Sequence, residues 1–377
     1  MQKDFHYDVT YIVARWAGYS EHEAYVIAYS SQFVDDAADE GPIRFDTGAM
    51  YTVISSSHAA YDFIHNTDEI SNKMAWLPFH FLPGNCNLPC GDGADRDMVE
   101  RLICQPNSYV AKEMVLHCLD LRGPKRTLQR LGITLHVYAD TWAHQGFCGV
   151  VRDQNRVKWL HRVENPWTPF GFIHYLQNLR LRCINILPLG HAAASVYPDM
   201  PYLNNWAIIF ADARGAVRRH NTTDFVEAAD CMYKTLVAFR HNLTGPTLDV
   251  VFAHVPGLSW QRKETLRKWF RSFRYKSEDV RHCRWQRKIA AGTIPGVSSI
   301  PPYVATGRMS WKYMALGDAK NGIYHYTKAF ERSKWKLFYD ALKGHQQFVL
   351  RTLLPSFGIS AFQTVLLQSP PKAEEKS

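Results

Sequence analysis

Leu131-Gly-Ile-Thr-Leu-His136-Val-Tyr-Ala-Asp140-Thr-Trp-Ala-His144-Gln-Gly146 reads as a helix carrying an imidazole, a carboxylate and a second imidazole on one face. At about 100° per residue, positions 136, 140 and 144 fall within an arc of roughly 80°, each about 6 Å further along the axis. Leu135, Val137, Ala139 and Ala143 flank the stripe, so it is not the wet side of an ordinary amphipathic helix. A carboxylate ionised in such apolar surroundings is costly unless a cation neutralises it. Asp offers two oxygens and each His one ring nitrogen, a donor set that suits two metal ions bridged by the central carboxylate.

Three residues do not complete such a centre, and the flanking sequence offers further donors. His6 opens an early helix. Asp35 and Asp36 end a helix that Ser20 and Glu23 begin as a capping box, and paired acids there oppose the helix dipole unless a cation or water meets them. His80 lies in the apolar loop Trp76-Leu-Pro-Phe-His80-Phe-Leu-Pro-Gly84, where a buried imidazole needs a partner. His191 and Asp199 flank a further short segment. Joined to the helical stripe, these residues would hold two or three zinc ions. His58, in Ser55-Ser-Ser-His58, is a candidate substitute ligand or phosphate-binding residue.

The 377 residues amount to about two average domains, or one large one with an appendage. A chain 46% hydrophobic and 21% charged has enough apolar mass for a sizeable core, which excludes disordered, collagen-like and disulfide-knot classes. Helical signals dominate: residues 7–16 closed by Gly18, a helix from Ser20 to about Phe33, Lys125–Gln145, and Asp224–Arg240. Two-residue alternation appears only near 248–253 and 303–306. The expectation is a mainly α protein: an all-α metal-dependent domain at 1–245, a smaller basic, partly helical region at 246–368, and a disordered tail at 369–377. The eight cysteines are scattered and read as reduced thiols, and Cys86-x3-Cys90 lacks the second pair of a zinc site. An HD-type phosphohydrolase is disfavoured because no His is followed by Asp. A zincin is disfavoured because His22-Glu23 has no His at 26.

The His136-x3-Asp140-x3-His144 helix, the early His6-Tyr7 and the Phe79-His80-Phe81 loop resemble the zinc-dependent phospholipase C superfamily, which also includes single-strand-specific fungal nucleases. The run His6-Tyr7-x2-Thr10…Ala14-x2-Ala17-Gly18 is similar to the start of a bacterial zinc metallophospholipase C group. The resemblance spans roughly residues 1–205 and implies an all-α fold with clustered zincs. It implies one zinc on His6 and Asp140, a second on Asp35 or Asp36 with His80, His136 and Asp140, and a third on His144, His191 and Asp199. It further implies phosphodiester hydrolysis by a metal-activated water, with Asp35 or Asp36 as general base. The chain departs from the superfamily at residue 1, where Met stands instead of a Trp ligand, and in the eight-residue spacing of His191 and Asp199.

The net charge of +9 is concentrated in one segment. Residues 262–288 carry eleven Lys or Arg against three acids. Within them Leu266, Trp269, Phe270 and Phe273 form an apolar stripe, opposite Arg262, Lys263, Arg267, Lys268, Arg271 and Arg274. That pattern predicts a helix lying on an anionic membrane, with a docked helix or a nucleic-acid surface as the other readings. The expected substrate is therefore a phospholipid, with a nuclease, a phosphomonoesterase or a non-catalytic metal-stabilised module as alternatives. Residues 1–6 show no charged-then-apolar leader, so the expected location is the cytoplasm, with peripheral membrane association or leaderless export.

Overall fold

Local signals set the helices, and their apolar faces set the packing. The computed structural model describes residues 1–57, 69–162, 194, 196–212 and 214–360. After a π-helical turn at Asp4–Val9, α1 spans Thr10–Trp16 and α2 spans Glu21–Asp36. The α2 start is the expected capping box: Ser20 Oγ accepts from the Glu23 amide while the Glu23 carboxylate accepts from the Ser20 amide. Then come α3 (Glu69–Phe79), α4 (Tyr109–Asp120) and α5 (Leu128–Ala143). The last is capped by Thr127, and Pro124 belongs to a separate short turn. Later helices are α6 (Asn221–Arg240), α7 (Trp260–Ser272), α8 (Glu278–Ala290) and α9 (Lys334–Phe348).

Helices predominate, but the fold is mixed α/β and the all-α expectation is overturned by two three-stranded sheets. In the first, β1 (Gly41–Phe45) lies between antiparallel β2 (Met50–Val53) and parallel β6 (Ile323–Tyr324). In the second, β3 (Val157–Arg162), β4 (Asn204–Phe210) and β5 (Ala216–His220) form an antiparallel meander with bulged registers. These strands hid from a two-residue search for physical reasons. Gly41 and Pro42 open β1 with loop-forming residues, and the middle of β4 is buried at consecutive positions rather than alternate ones. Conversely, Leu248–Ala253 is a short helix capped by Thr247, and 303–306 forms no strand.

The basic region shares a core with the N-terminal helices. Phe5, Leu131, Phe225, Phe270, Trp285 and Trp335 belong to one apolar cluster. Arg281 of α8 donates to both oxygens of Asp4 at 2.8 and 3.0 Å, a buried bidentate pair that fixes the first residues of the chain. The stripe expected to enter a membrane is instead packed inward: Leu266, Trp269, Phe270 and Phe273 are all buried, and Phe270 meets Phe5 and Phe225. That face of α7 is therefore covered by protein. Of its cations, Lys263 pairs with Asp230 at 2.8 Å, Arg267 with Glu264, and Arg262 lies over the Trp16 ring, while Lys268, Arg271 and Arg274 are exposed. Among the described residues no helix is long and apolar enough to cross a membrane. The expected tail at 369–377 lies outside the described residues.

The contact that positions the site is α2 against α5. Gly132, inside α5, lets the two backbones approach: a Cβ there would press on the Ile27 carbonyl oxygen and lie 2.7 Å from Ser30 Cβ. Gly132→Ala should therefore cost about 3 kcal/mol through overpacking, even though Ala is the better helix former. Urea unfolding reads this directly, and a midpoint at or above wild type would refute the close approach.

Candidate metal centre

Four segments far apart in sequence bring their donors together at one end of the α2–α5 contact. His6 comes from the π-helical turn, Asp35 from the last turn of α2, His80 from the loop after α3, His136 and Asp140 from the inner face of α5, and His144 from its C-cap. All but Asp35 are buried, and the Asp35 side chain keeps 29% of its surface open to solvent.

Asp140 divides the cluster in two. Its Oδ1 lies 3.1 Å from His6 Nε2 and accepts from the amino group of Met1. Its Oδ2 faces His136 Nε2 at 3.3 Å, His80 Nδ1 at 3.4 Å and His144 Nδ1 at 3.7 Å. Asp35 Oδ1 stands 3.7 Å from both His80 Nδ1 and His136 Nε2. Two overlapping three-residue groups, His6–His136–Asp140 and Asp35–His80–His136, share His136, and each has its donor atoms within 4.8 Å of one another. His144 Nε2 reaches Asp199 Oδ1 at 3.8 Å, and that oxygen lies 3.4 Å from the Met1 amino group.

Outer hydrogen bonds orient the rings. His80 Nε2 lies 2.9 Å from the Ser56 carbonyl, so it is the protonated nitrogen, and the lone pair on Nδ1 faces inward. His144 Nδ1 lies 2.6 Å from the His80 carbonyl, which turns Nε2 toward Asp199. Phe81, part of the second apolar cluster beneath β3–β5, stacks on His144 at 4.4 Å. His6 and His136 stack at 3.9 Å, with their Nδ1 atoms lacking partners among the described residues.

Burial drives the His136 pKa down to about 4 and that of His6 well below its ordinary value, so both rings are neutral near pH 7. Burial opposes ionisation of Asp140 as well. His144, the Met1 amino group, His136 and His6 outweigh it and hold the carboxyl well below the usual range. Asp35 goes the other way, raised by burial and then by the charge of Asp140. Burial works against the Met1 ammonium too, but Asp140, Asp199 and Asp35 overcome it and raise that group to about 10. The neutral His6 and His136 rings beside an ionised Asp140 are in the protonation state that metal ligation requires, and these His and Asp residues could hold a metal ion.

Of the two neighbouring acids, Asp35 reaches the cluster and Asp36 does not. Asp36 is exposed and turned away, accepting from Tyr303 Oη at 2.5 Å and Gln32 Nε2 at 3.1 Å. His58 and His191 lie outside the described residues. Two contributors had no sequence signature. The Met1 amino group is a main-chain atom with no residue type to read, and the Ser56 carbonyl orients His80 from a segment without chemistry of its own.

A predominantly helical α/β protein with a buried His/Asp cluster is thus the class that fold and site define. The chain belongs to DUF6765, a family of unknown function, which matches residues 1–353. No curated protein and no solved structure matches it.

In chelator-treated protein the His136 imidazole should stay neutral down to about pH 5 and titrate near 4, as 15N NMR of the ring nitrogens would read. Because the folded value lies below the unfolded one, the unfolded chain takes up a proton that the folded chain refuses. The stability contributed by this ring is therefore lost as pH falls from about 6.5 towards 4, by up to about 1.4 kcal/mol per pH unit. A titration near 6.5 would contradict the enclosed site.

Proposed function

We propose that this protein is a zinc-dependent hydrolase of phosphodiester bonds. The observation that carries the reading is the division of Asp140, whose Oδ1 faces His6 while its Oδ2 faces His80, His136 and His144. A carboxylate so placed would offer an oxygen to cations on either side of it. The resemblance of the His136–His144 helix to the zinc phospholipase C superfamily supports the choice of metal and reaction. Two ions would be held by His6 with Asp140 and by Asp35, His80 and His136 with Asp140, and a third would rest on His144, Asp199 and His191.

When bound, zinc would lower the pKa of water and offset the charge that develops on a phosphoryl group. The chain's own residues supply the rest. His6 and His136 present neutral nitrogens, and the Ser56 carbonyl keeps the His80 ring turned inward. Asp35 is the partly exposed acid at the mouth of the cluster, and burial and Asp140 give it a raised affinity for protons. It is the group placed to take a proton from an attacking water and to return it to the leaving oxygen.

A phospholipid is the substrate the resemblance favours, and Lys268, Arg271 and Arg274 would meet lipid phosphates. One observation favours the second reading, a single-stranded nucleic acid or a phosphomonoester. Trp269, Phe270 and Phe273 are buried, so α7 offers no apolar face for a lipid interface.

Protein purified with zinc should carry two to three ions per chain by elemental analysis, falling below one in Asp140→Ala. Asp35→Asn should keep most of the metal while kcat on bis(p-nitrophenyl) phosphate drops about 10²–10⁴-fold, the usual contribution of a general base. Parallel assays on phosphatidylcholine vesicles and single-stranded DNA separate the two substrates. Unaltered hydrolysis by Asp140→Ala would defeat the enzyme reading and leave a metal-stabilised binding module.

A further inference from the structure

At the opposite end of α5 from His144 lies a second, unrelated feature, a cavity of about 590 Å3 between α4, α5 and α9. Its innermost polar group is Arg130, in the first turn of α5. The residue is only 5% exposed, and its Nε and Nη2 have no partner among the described residues. The position is doubly unfavourable for a cation: it is desolvated, and it stands at the positive end of the helix dipole with no acid in the same turn. Other charges in the wall add to the excess, since Lys125 and Arg351 also border the cavity. Among the described residues that line it, the one acid, Asp340, is already engaged by Tyr51 Oη at 2.8 Å and Lys336 Nζ at 2.8 Å.

The cavity is shaped around this guanidinium. Gly344, inside α9, faces it, and a Cβ at that position would lie 3.3 Å from Arg130 Nη1. A glycine in a helix interior is unfavourable unless close approach requires it. His117 lies flat on Phe348 with ring centroids 3.5 Å apart, and its Nδ1 has no partner among the described residues. Burial, with the charges of Arg130 and Lys125, holds this imidazole down to about 4, so it is a neutral hydrogen-bonding group near pH 7. Burial also lowers Arg130 to about 10, which leaves it charged.

We infer that this cavity binds a phosphate-bearing small molecule, with the phosphoryl group on Arg130 at the α5 N-terminus and the organic part against Leu121 and Leu337. A dianion satisfies the guanidinium, the helix dipole and the outer cations together. The volume exceeds that of inorganic phosphate alone, and the aliphatic wall gives the remainder of a ligand somewhere to lie. The site is separate from the His/Asp cluster and independent of the hydrolase reading.

Calorimetric titration at constant ionic strength, with phenyl phosphate and with inorganic phosphate, tests it. Phenyl phosphate should bind wild-type protein at least tenfold more tightly than inorganic phosphate. Arg130→Met should weaken both at least tenfold, and should unfold at or above the wild-type temperature without ligand because an unpaired buried charge is gone. The exposed pair Lys125→Ala with Arg351→Ala should weaken binding about three- to tenfold, and this readout holds even if Arg130→Met fails to fold. No binding to wild type would overturn the proposal. So would affinity unchanged in either variant, which would place the anion elsewhere, for example at the metal centre.

Discussion

The structure is organised around one buried negative charge. Asp140 sits on the inner face of α5, almost wholly removed from water, where an isolated carboxylate would be too costly to remain ionised. Its ionisation holds only because positive or hydrogen-bonding groups meet both oxygens: the Met1 amino group and His6 on one, and His80, His136 and His144 on the other. These partners come from the first turn of the chain, the loop after α3 and α5 with its C-cap, so satisfying this one group requires those three segments to converge. The fold and the site are in this sense one problem.

The convergence depends on supports outside the cluster. The first six residues stay in place because Asp4 is gripped by Arg281, which brings the basic C-terminal region into the construction of an N-terminal site. The loop carrying His80 is held by the Ser56 carbonyl, by Phe81 packed on the β3–β5 sheet, and by His345, whose Nε2 meets the Pro78 carbonyl at 3.0 Å. Gly132 sets how closely α2 can lie on α5, and with it the distance from Asp35 to the histidines. Outer contacts of this kind fix ring orientation and tautomer, on which the chemistry of a His-rich centre turns.

The same helix carries two opposite electrostatic solutions. Near its C-terminal end, a buried carboxylate gathers imidazoles and an amine. In its first turn, a buried guanidinium gathers none of the acids among the described residues that would neutralise it. The first arrangement draws cations and the second draws anions, with about 9 Å of helix rise between Arg130 and His136. A protein that handled phosphate esters at one end and held an organic phosphate at the other would need both.

The sequence by itself determined the chemistry-bearing stripe. His136, Asp140 and His144 share a face because helix periodicity is a local property, and the capping box at Ser20 and the acids ending α2 were legible for the same reason. Candidate ligands at 6, 35, 80 and 199 were legible as residue types, each in a context that asks for a partner. What only the tertiary structure decided was direction. It turned Asp35 inward and Asp36 outward, although the two are neighbours of identical chemistry. It buried the Trp269 stripe against the core rather than leaving it for lipid, and it placed the Met1 amine against Asp140. It also assembled strands whose loop-like openings or continuous burial erase the alternating signal. Periodicity says which residues share a face. It does not say what that face meets, because the answer depends on contacts between segments separated by a hundred residues or more.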